Sequence, residues 1–226
     1  MIIGNGLIAR EFQNFKHLEV VYFASGVANS TNPSQSDFYR EENLLLESQK
    51  SGKPLVYFST TSIELESKAG LGKLGNYQVH KLRMEDLVRR EKHLIIRLPN
   101  VVGKGANPLT LVEYLSRKVQ TGGSIEVQTE AKRSIIDVSD VASMVNLLVS
   151  TNELNKTVSI VNPLTHSILE IVYILQDIHK KNAQIVLKSG GENFKFDSMD
   201  TMQLASQLNI DFNEKYLNEL LWKYYE

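Results

Sequence analysis

Cysteine is absent from the 226-residue chain, which excludes disulfides, thiolate metal sites and thiol nucleophiles together and fits a reducing compartment. An excess of either charge sign is also missing: 25 Lys and Arg stand against 26 Asp and Glu, a formal net charge of −1. Without a cationic field to release counterions, general binding to nucleic acid or to an anionic membrane surface is excluded. No uncharged apolar run approaches the roughly 18 residues that span a bilayer, and MIIGNGLIAR has no basic segment leading into a long apolar stretch. The expectation is a cytoplasmic protein. No repeat, low-complexity tract or clean linker interrupts the chain, so one domain over 1–226 is expected, with substrate-binding elements mainly within 100–226.

What is present is an alternation of short apolar runs and amphipathic stretches. Met1 to Ile3 runs into Gly4-Asn5-Gly6, and the stretch from Leu7 to Phe15 has helical character. The runs Glu19 to Ala24, Leu55 to Phe58 and His93 to Leu98 are β-branched, aliphatic and aromatic, as in strands buried on both faces. Between and after them, helical spacing predicts helices over Phe38 to Lys50, Tyr77 to Glu91, Leu109 to Val119, Asp137 to Thr151 and Ser167 to Lys181. Short strands are predicted at Ser124 to Gln128 and Thr157 to Val161, and two short helices between Asp197 and Tyr225. This order predicts an α/β protein with a doubly wound parallel sheet.

Two constellations carry chemistry. Gly4-Asn5-Gly6-Leu7-Ile8-Ala9 is a GxGxxA sequence between a strand and a helix, where the backbone of Gly4, Gly6, Leu7 and Ile8 can approach a pyrophosphate. A tight strand-to-helix turn that binds nothing would use the same glycines. The carboxylate that usually follows about 20 residues later to hold the adenosine ribose is missing, because the second strand ends in Ala24-Ser25-Gly26 and Glu19 stands at its opposite end. The second constellation is Tyr77-Gln78-Val79-His80-Lys81 on a helix, preceded by the hydroxyl cluster Ser59-Thr60-Thr61-Ser62 at a strand end. A spacing of four puts Tyr77 and Lys81 on one helical face. The ammonium can then ease loss of the phenol proton while a strand-end hydroxyl shares a substrate oxygen. His80 reads as packing or solvent-facing rather than catalytic, and no carboxylate spacing around the five His indicates a metal site.

In their joint order these features resemble the extended short-chain dehydrogenase/reductase family, the NAD(P)-dependent epimerases, dehydratases and reductases of nucleotide sugars. The resemblance runs through VVYFASGVANS, LVYFSTTSIE, NYQVHKLRMEDLV, IIRLPNVVGKGANP and KRSIIDVSDVA. It implies a Rossmann-like fold with Thr60, Tyr77 and Lys81 as catalytic residues. It further implies Ala24, Ser25, Gly26, Pro99 and Val101 beside the dinucleotide, with Asn100 and Arg133 toward the nucleotide-sugar substrate. NADP or NAD is the implied cofactor, NADP being preferred because no acid guards the ribose, and relatives often form homodimers through the helices here at Phe38 to Lys50 and Tyr77 to Glu91.

The chain also departs from that family. It passes from Phe15 to Glu19 where relatives carry two further strands and a helix of the adenosine pocket, so a sheet reduced in strand number is expected. Thr60 is followed by Thr61-Ser62 rather than Asp-Glu, which disfavours dehydration. The first reading is a reductase of a keto group on a nucleotide-activated sugar in surface polysaccharide biosynthesis. The alternatives are an epimerase of the same family and a non-catalytic binding module that has lost the dinucleotide.

Overall fold

The computed structural model describes residues 1–15, 19–27, 33–64 and 75–226. Residues 28–30, the end of the VVYFASGVANS segment, lie outside the described residues. The chain forms two compact units, one of residues 1–98 and 141–160, the other of residues 99–140 and 161–226.

In the first unit β1 (Ile2–Ile3), β2 (Val21–Phe23), β3 (Leu55–Thr60), β4 (His93–Leu98) and β8 (Lys156–Ser159) form one sheet in the order β1-β2-β3-β4-β8. All four pairings are parallel. Among the described residues β1 has a strand on one side only. The register aligns Ile3, Phe23, Tyr57 and Ile95 in one row across the sheet. That row packs against Leu45 of α2 (Gln35–Gln49) and Met84 and Val88 of α3 (Asn76–Val88), forming a continuous apolar core. On the opposite face Phe12, in the 3-10 turn that follows α1 (Leu7–Glu11), lies 4.7 Å from Tyr22 and 5.3 Å from Phe58 by ring centroids. Period-two alternation along β2 and β3 thus feeds both faces of the sheet.

Helix α2 starts three residues earlier than expected at Phe38. Ser34 and Asp37 form a capping box, in which the Asp37 N–H donates to Ser34 Oγ at 3.2 Å and the Ser34 N–H donates to Asp37 Oδ2 at 3.2 Å. The helix end at Gln49 is followed by Gly52 with φ of +65°.

The second unit contains β5 (Asn100–Val102) parallel to β7 (Lys132–Asp137), with β9 (Thr165–Ser167) antiparallel on its other side. β6 (Ser124–Gln128) pairs in parallel with β10 (Gln184–Lys188). Helices α4 (Leu111–Gln120), α6 (Ile168–His179) and α8 (Tyr216–Tyr225) bury Leu115, Leu175 and Leu221 in one core with Ile125 and Ile135. α7 (Met199–Leu208) completes the helices of this unit, and α5 (Val138–Ser150) runs from the second unit into the first. β5, β7, β9 and β10 are not anticipated by apolar runs. They are three to six residues long and mostly mixed in polarity, so cross-strand pairing rather than pattern defines them.

The start of α5 is tied to the C-terminal helix by polar contacts. Asp137 accepts hydrogen bonds from Lys223 Nζ at 2.7 Å, the Tyr224 hydroxyl at 2.8 Å and the Ser139 N–H at 2.8 Å, while the Tyr216 hydroxyl donates to Asp140 at 2.6 Å. The aromatic tail is therefore a packed helix.

Candidate active site

Tyr77 and Lys81 stand one turn apart at the start of α3, and the Lys81 ammonium lies 5.9 Å from the centroid of the Tyr77 ring. The Lys81 side chain is only 3% exposed, so its charge needs an internal partner. That partner is Glu41 of α2, itself fully buried. Lys81 Nζ donates to Glu41 Oε1 at 3.0 Å and to the Tyr57 hydroxyl at 3.2 Å, and Tyr57 in turn donates to Glu41 Oε1 at 2.7 Å.

The other carboxylate oxygen is held separately. Glu41 Oε2 accepts the Val27 N–H at 2.7 Å and lies 3.0 Å from His80 Nε2, whose ring stacks on Phe38 at 4.1 Å. Burial alone pushes the Glu41 carboxyl up. Lys81, His80, Tyr57 and the Val27 N–H outweigh that and hold it at about 2. Tyr57 is driven well above its ordinary value, first by burial and then by the Glu41 charge beside it.

Gly26 is part of this cluster. A Cβ built there would lie 2.7 Å from Lys81 Nζ and 3.2 Å from Glu41 Oε1, so the ion pair occupies the space that a side chain would take. Ser25 is clasped by Arg40 of α2, whose Nη1 donates to Ser25 Oγ at 3.0 Å and whose Nη2 donates to its carbonyl at 3.3 Å. The Ala24 N–H donates to the Ile3 carbonyl at 2.8 Å, which ties the end of β2 to the end of β1.

The hydroxyl cluster at the end of β3 separates into different environments. Ser59 is buried and donates to Glu85 Oε1 at 2.7 Å, and buried Thr61 donates to the Leu98 carbonyl at 3.4 Å. Thr60 is half-buried, donates to Ser62 Oγ at 3.1 Å and accepts the Ser62 N–H at 3.2 Å. Glu85 also receives Arg97 through Nε at 3.0 Å and Nη2 at 2.8 Å, together with Arg89 Nη2 at 2.7 Å. Hydrogen bonds and charge from these cations outweigh burial and keep its carboxyl below the ordinary value.

The two glycines of the first turn differ in what surrounds them. Gly4 has φ of +122°, and a Cβ there would meet the Ala24 carbonyl oxygen at 2.4 Å, so it is a packing glycine between β1 and β2. Gly6, the residue before Leu7 and Ile8 of α1, has φ of −74°, and a Cβ there would meet nothing within 4 Å. Among the described residues no protein atom fills the space beside it.

The remaining expected site residues lie in the second unit. Pro99 precedes β5, Val101 pairs with Ile136, and Asn100 Nδ2 donates to the Ser134 carbonyl at 3.2 Å. Arg133 on β7 donates from Nη1 to the carbonyls of Lys132 at 2.8 Å and Glu192 at 3.0 Å, with its guanidinium 5.9 Å from the Phe194 ring centroid. Within the first unit the structure brings Lys81 and Gly26 together at Glu41, with the Tyr77 ring 5.9 Å from the Lys81 ammonium. Asn100 and Arg133 each bond to backbone of the second unit. Among the described residues no group of three or more His, Cys, Asp or Glu side chains could hold a metal ion, and no helix is long and apolar enough to cross a membrane.

Glu41 and Tyr57 are functional candidates that the motifs do not reveal. A signal for Glu41 exists: the buried stripe of α2 is Phe38, Glu41, Leu45 and Ser48, so a carboxylate interrupts an apolar face. Such a group needs a buried cation, and Lys81 is the basic residue of the YxxxK motif.

The family model described as the NAD dependent epimerase/dehydratase family matches residues 5–162. The chain belongs to that family. No curated protein matches it. Among solved structures similar to this epimerase/dehydratase-family chain is RMD from Pseudomonas aeruginosa complexed with NADPH. It is 16% identical with a TM-score of 0.71, covering 90% of this chain and 79% of that one. The UDP-glucose 4-epimerase from Thermus thermophilus in complex with NAD is 17% identical with a TM-score of 0.69, covering 96% and 80%. A GDP-mannoheptose C4 reductase from Campylobacter jejuni with NADP bound is 18% identical with a TM-score of 0.65, covering 87% and 78%. These likenesses establish a Rossmann-like fold, here with a five-stranded parallel sheet.

Proposed function

We propose that this family member is an NAD(P)-dependent reductase acting on a keto group of a nucleotide-activated sugar. The observation that carries the reading is the placement of the buried Lys81 ammonium 5.9 Å from the Tyr77 ring. In this reading the Tyr77 hydroxyl gives its proton to the substrate oxygen as that oxygen becomes a hydroxyl, Lys81 supports the phenolate left behind, and Thr60 orients the oxygen. Thr60 is the more accessible of the three hydroxyls, half-buried and bonded to nearby Ser62, whereas Ser59 and Thr61 are buried and bonded to Glu85 and Leu98. A bound NAD(P)H supplies the hydride. Backbone at Gly6, Leu7 and Ile8 would hold its phosphates, in keeping with the open space at Gly6. Asn100 and Arg133 are assigned to the sugar nucleotide, the guanidinium fork of Arg133 suiting a diphosphate.

Titration calorimetry with NADPH, NADH, NADP and NAD tests the reading, followed by loss of NADPH absorbance with keto-sugar nucleotides. Tyr77→Phe is expected to retain dinucleotide affinity and to lose about 10²–10⁴-fold in turnover. A variant with unchanged turnover would remove Tyr77 from the chemistry. An epimerase would instead be isolated with dinucleotide already bound and show no net oxidation of NADPH.

The position of β1 at the sheet edge among the described residues favours a second reading, a binding module without dinucleotide. Absence of binding by all four dinucleotides to folded protein would decide for it. A ligand that does bind raises stability by RT ln(1 + [L]/Kd), so thermal unfolding gives the same answer independently.

A homodimer formed by α2 and α3 is part of the proposal. Tyr39 and Leu46 on α2 and Val79 on α3 are exposed by 59%, 42% and 51%. Sedimentation velocity at micromolar protein is expected to show a two-fold dimer, and Val79→Glu to shift it toward monomer. A native protein sedimenting as monomer would end this part of the proposal.

A further inference from the structure

We propose that Glu41 is a positioning residue for Lys81, holding the amine charged and close to Tyr77 from a neighbouring helix. The inference rests on the reading of Lys81 as part of the reductase site. Control runs from the carboxylate to the amine. Glu41 Oε2 is fixed by the Val27 N–H and His80, and Oε1 accepts from Tyr57, so the carboxylate is placed by three groups besides the lysine. The flexible lysine side chain then comes to it, into space left by Gly26.

Among the described residues few groups face Lys81. From α2 there is Glu41, from β3 the Tyr57 hydroxyl, and from α3 itself the Tyr77 ring, with His80 bound to the far oxygen of Glu41. The buried carboxylate of α3 itself, Glu85, is already engaged by Ser59, Arg89 and Arg97. Glu41 is thus the carboxylate that compensates Lys81. A buried amine that loses its counter-ion gives up its proton far more readily than one in water, because burial penalises the charged form. Without Glu41, Lys81 would present a neutral amine to Tyr77 and could no longer support a phenolate.

The test follows the lysine directly. Full-length protein labelled at lysine Cε is titrated by NMR from about pH 6 to about pH 9, a range spanning ordinary working pH, with Lys81→Met identifying the Lys81 signal. In the native protein the signal is expected to keep its charged-amine position throughout. In Glu41→Gln it is expected to move to the neutral-amine position within that range. A native signal that moves, or a Glu41→Gln signal that does not, overturns the proposal. The native measurement alone still decides against it should the variant fail to fold.

Calorimetry with NADPH separates this inference from the reading beneath it. If native protein binds NADPH, affinity in Glu41→Gln should fall about tenfold or more from the acid to the alkaline end, roughly 1.4 kcal/mol, while native affinity stays flat. A purely structural Glu41 would lower stability without this pH dependence. If the native protein binds no dinucleotide, the reductase reading fails, and the lysine signal still tests the link between Glu41 and Lys81.

Discussion

Lys81→Met is expected to destabilise the protein by about 3–5 kcal/mol near neutral pH, the usual cost of removing one partner from a buried ion pair. The magnitude comes from what remains: a fully buried Glu41 carboxylate with three hydrogen-bond donors but no lysine. Urea unfolding of native and variant protein measures the cost. It also carries a pH signature. Against its ordinary 4.5, the native Glu41 carboxyl is held at about 2, because Lys81 and the three donors outweigh the burial that pushes it up. Its contribution is therefore fully present above the ordinary value and is lost as pH falls from about 4.5 toward 2. In the variant, burial without the ammonium raises the Glu41 carboxyl, so acid neutralises an unfavourable charge. The gap between native and variant should narrow below about pH 5. A cost under about 1 kcal/mol, typical of exposed pairs, would mean that the pair is not formed. Loss of activity in Lys81→Met consequently has two sources, which is why Tyr77→Phe is the cleaner test of chemistry.

Gly4→Ala should be comparably damaging, by about 3–5 kcal/mol, combining strain at positive φ with forced separation of two backbones. The obstructing atoms are the Ala24 carbonyl oxygen and carbon at 2.4 and 2.7 Å, which no rotamer can move aside. Either β1 leaves β2 or the turn at Ala24 shifts. Gly6→Ala is the control: with φ of −74° and open space around it, its stability should change by less than about 1 kcal/mol. A drop in dinucleotide affinity in Gly6→Ala at unchanged thermal stability would locate the ligand at that backbone. Equal destabilisation by both substitutions would contradict the division of roles between the two glycines.

Much of the first unit was legible because its strands are buried on both faces. Runs such as Val21 to Phe23 and His93 to Leu98 can hardly be anything but interior strands, and helical spacing marks the segments between them. The candidates Tyr77 and Lys81 were legible through spacing, and Thr60 within its hydroxyl cluster through the family resemblance. The second unit was less so: β5, β7, β9 and β10 are short and weakly patterned, and Leu187 of β10 is 58% exposed. In sequence Gly4 and Gly26 read as ligand-facing; the structure adds that a Cβ at Gly4 would meet the Ala24 backbone and one at Gly26 the Lys81 ammonium.

Periodicity and local order by themselves determined the alternation of strands and helices that makes a parallel α/β architecture and the position of Tyr77 and Lys81 on one helical face, because each depends on neighbours close in sequence, while the family was legible only through the resemblance of whole segments. Tertiary structure alone decided that Lys81 meets Glu41, 40 residues away, and that Ser59 and Thr61 are committed to distant groups while Thr60 bonds to nearby Ser62. A buried charge must be compensated where it lies in space. No spacing rule along the chain reports which helix supplies the compensating group.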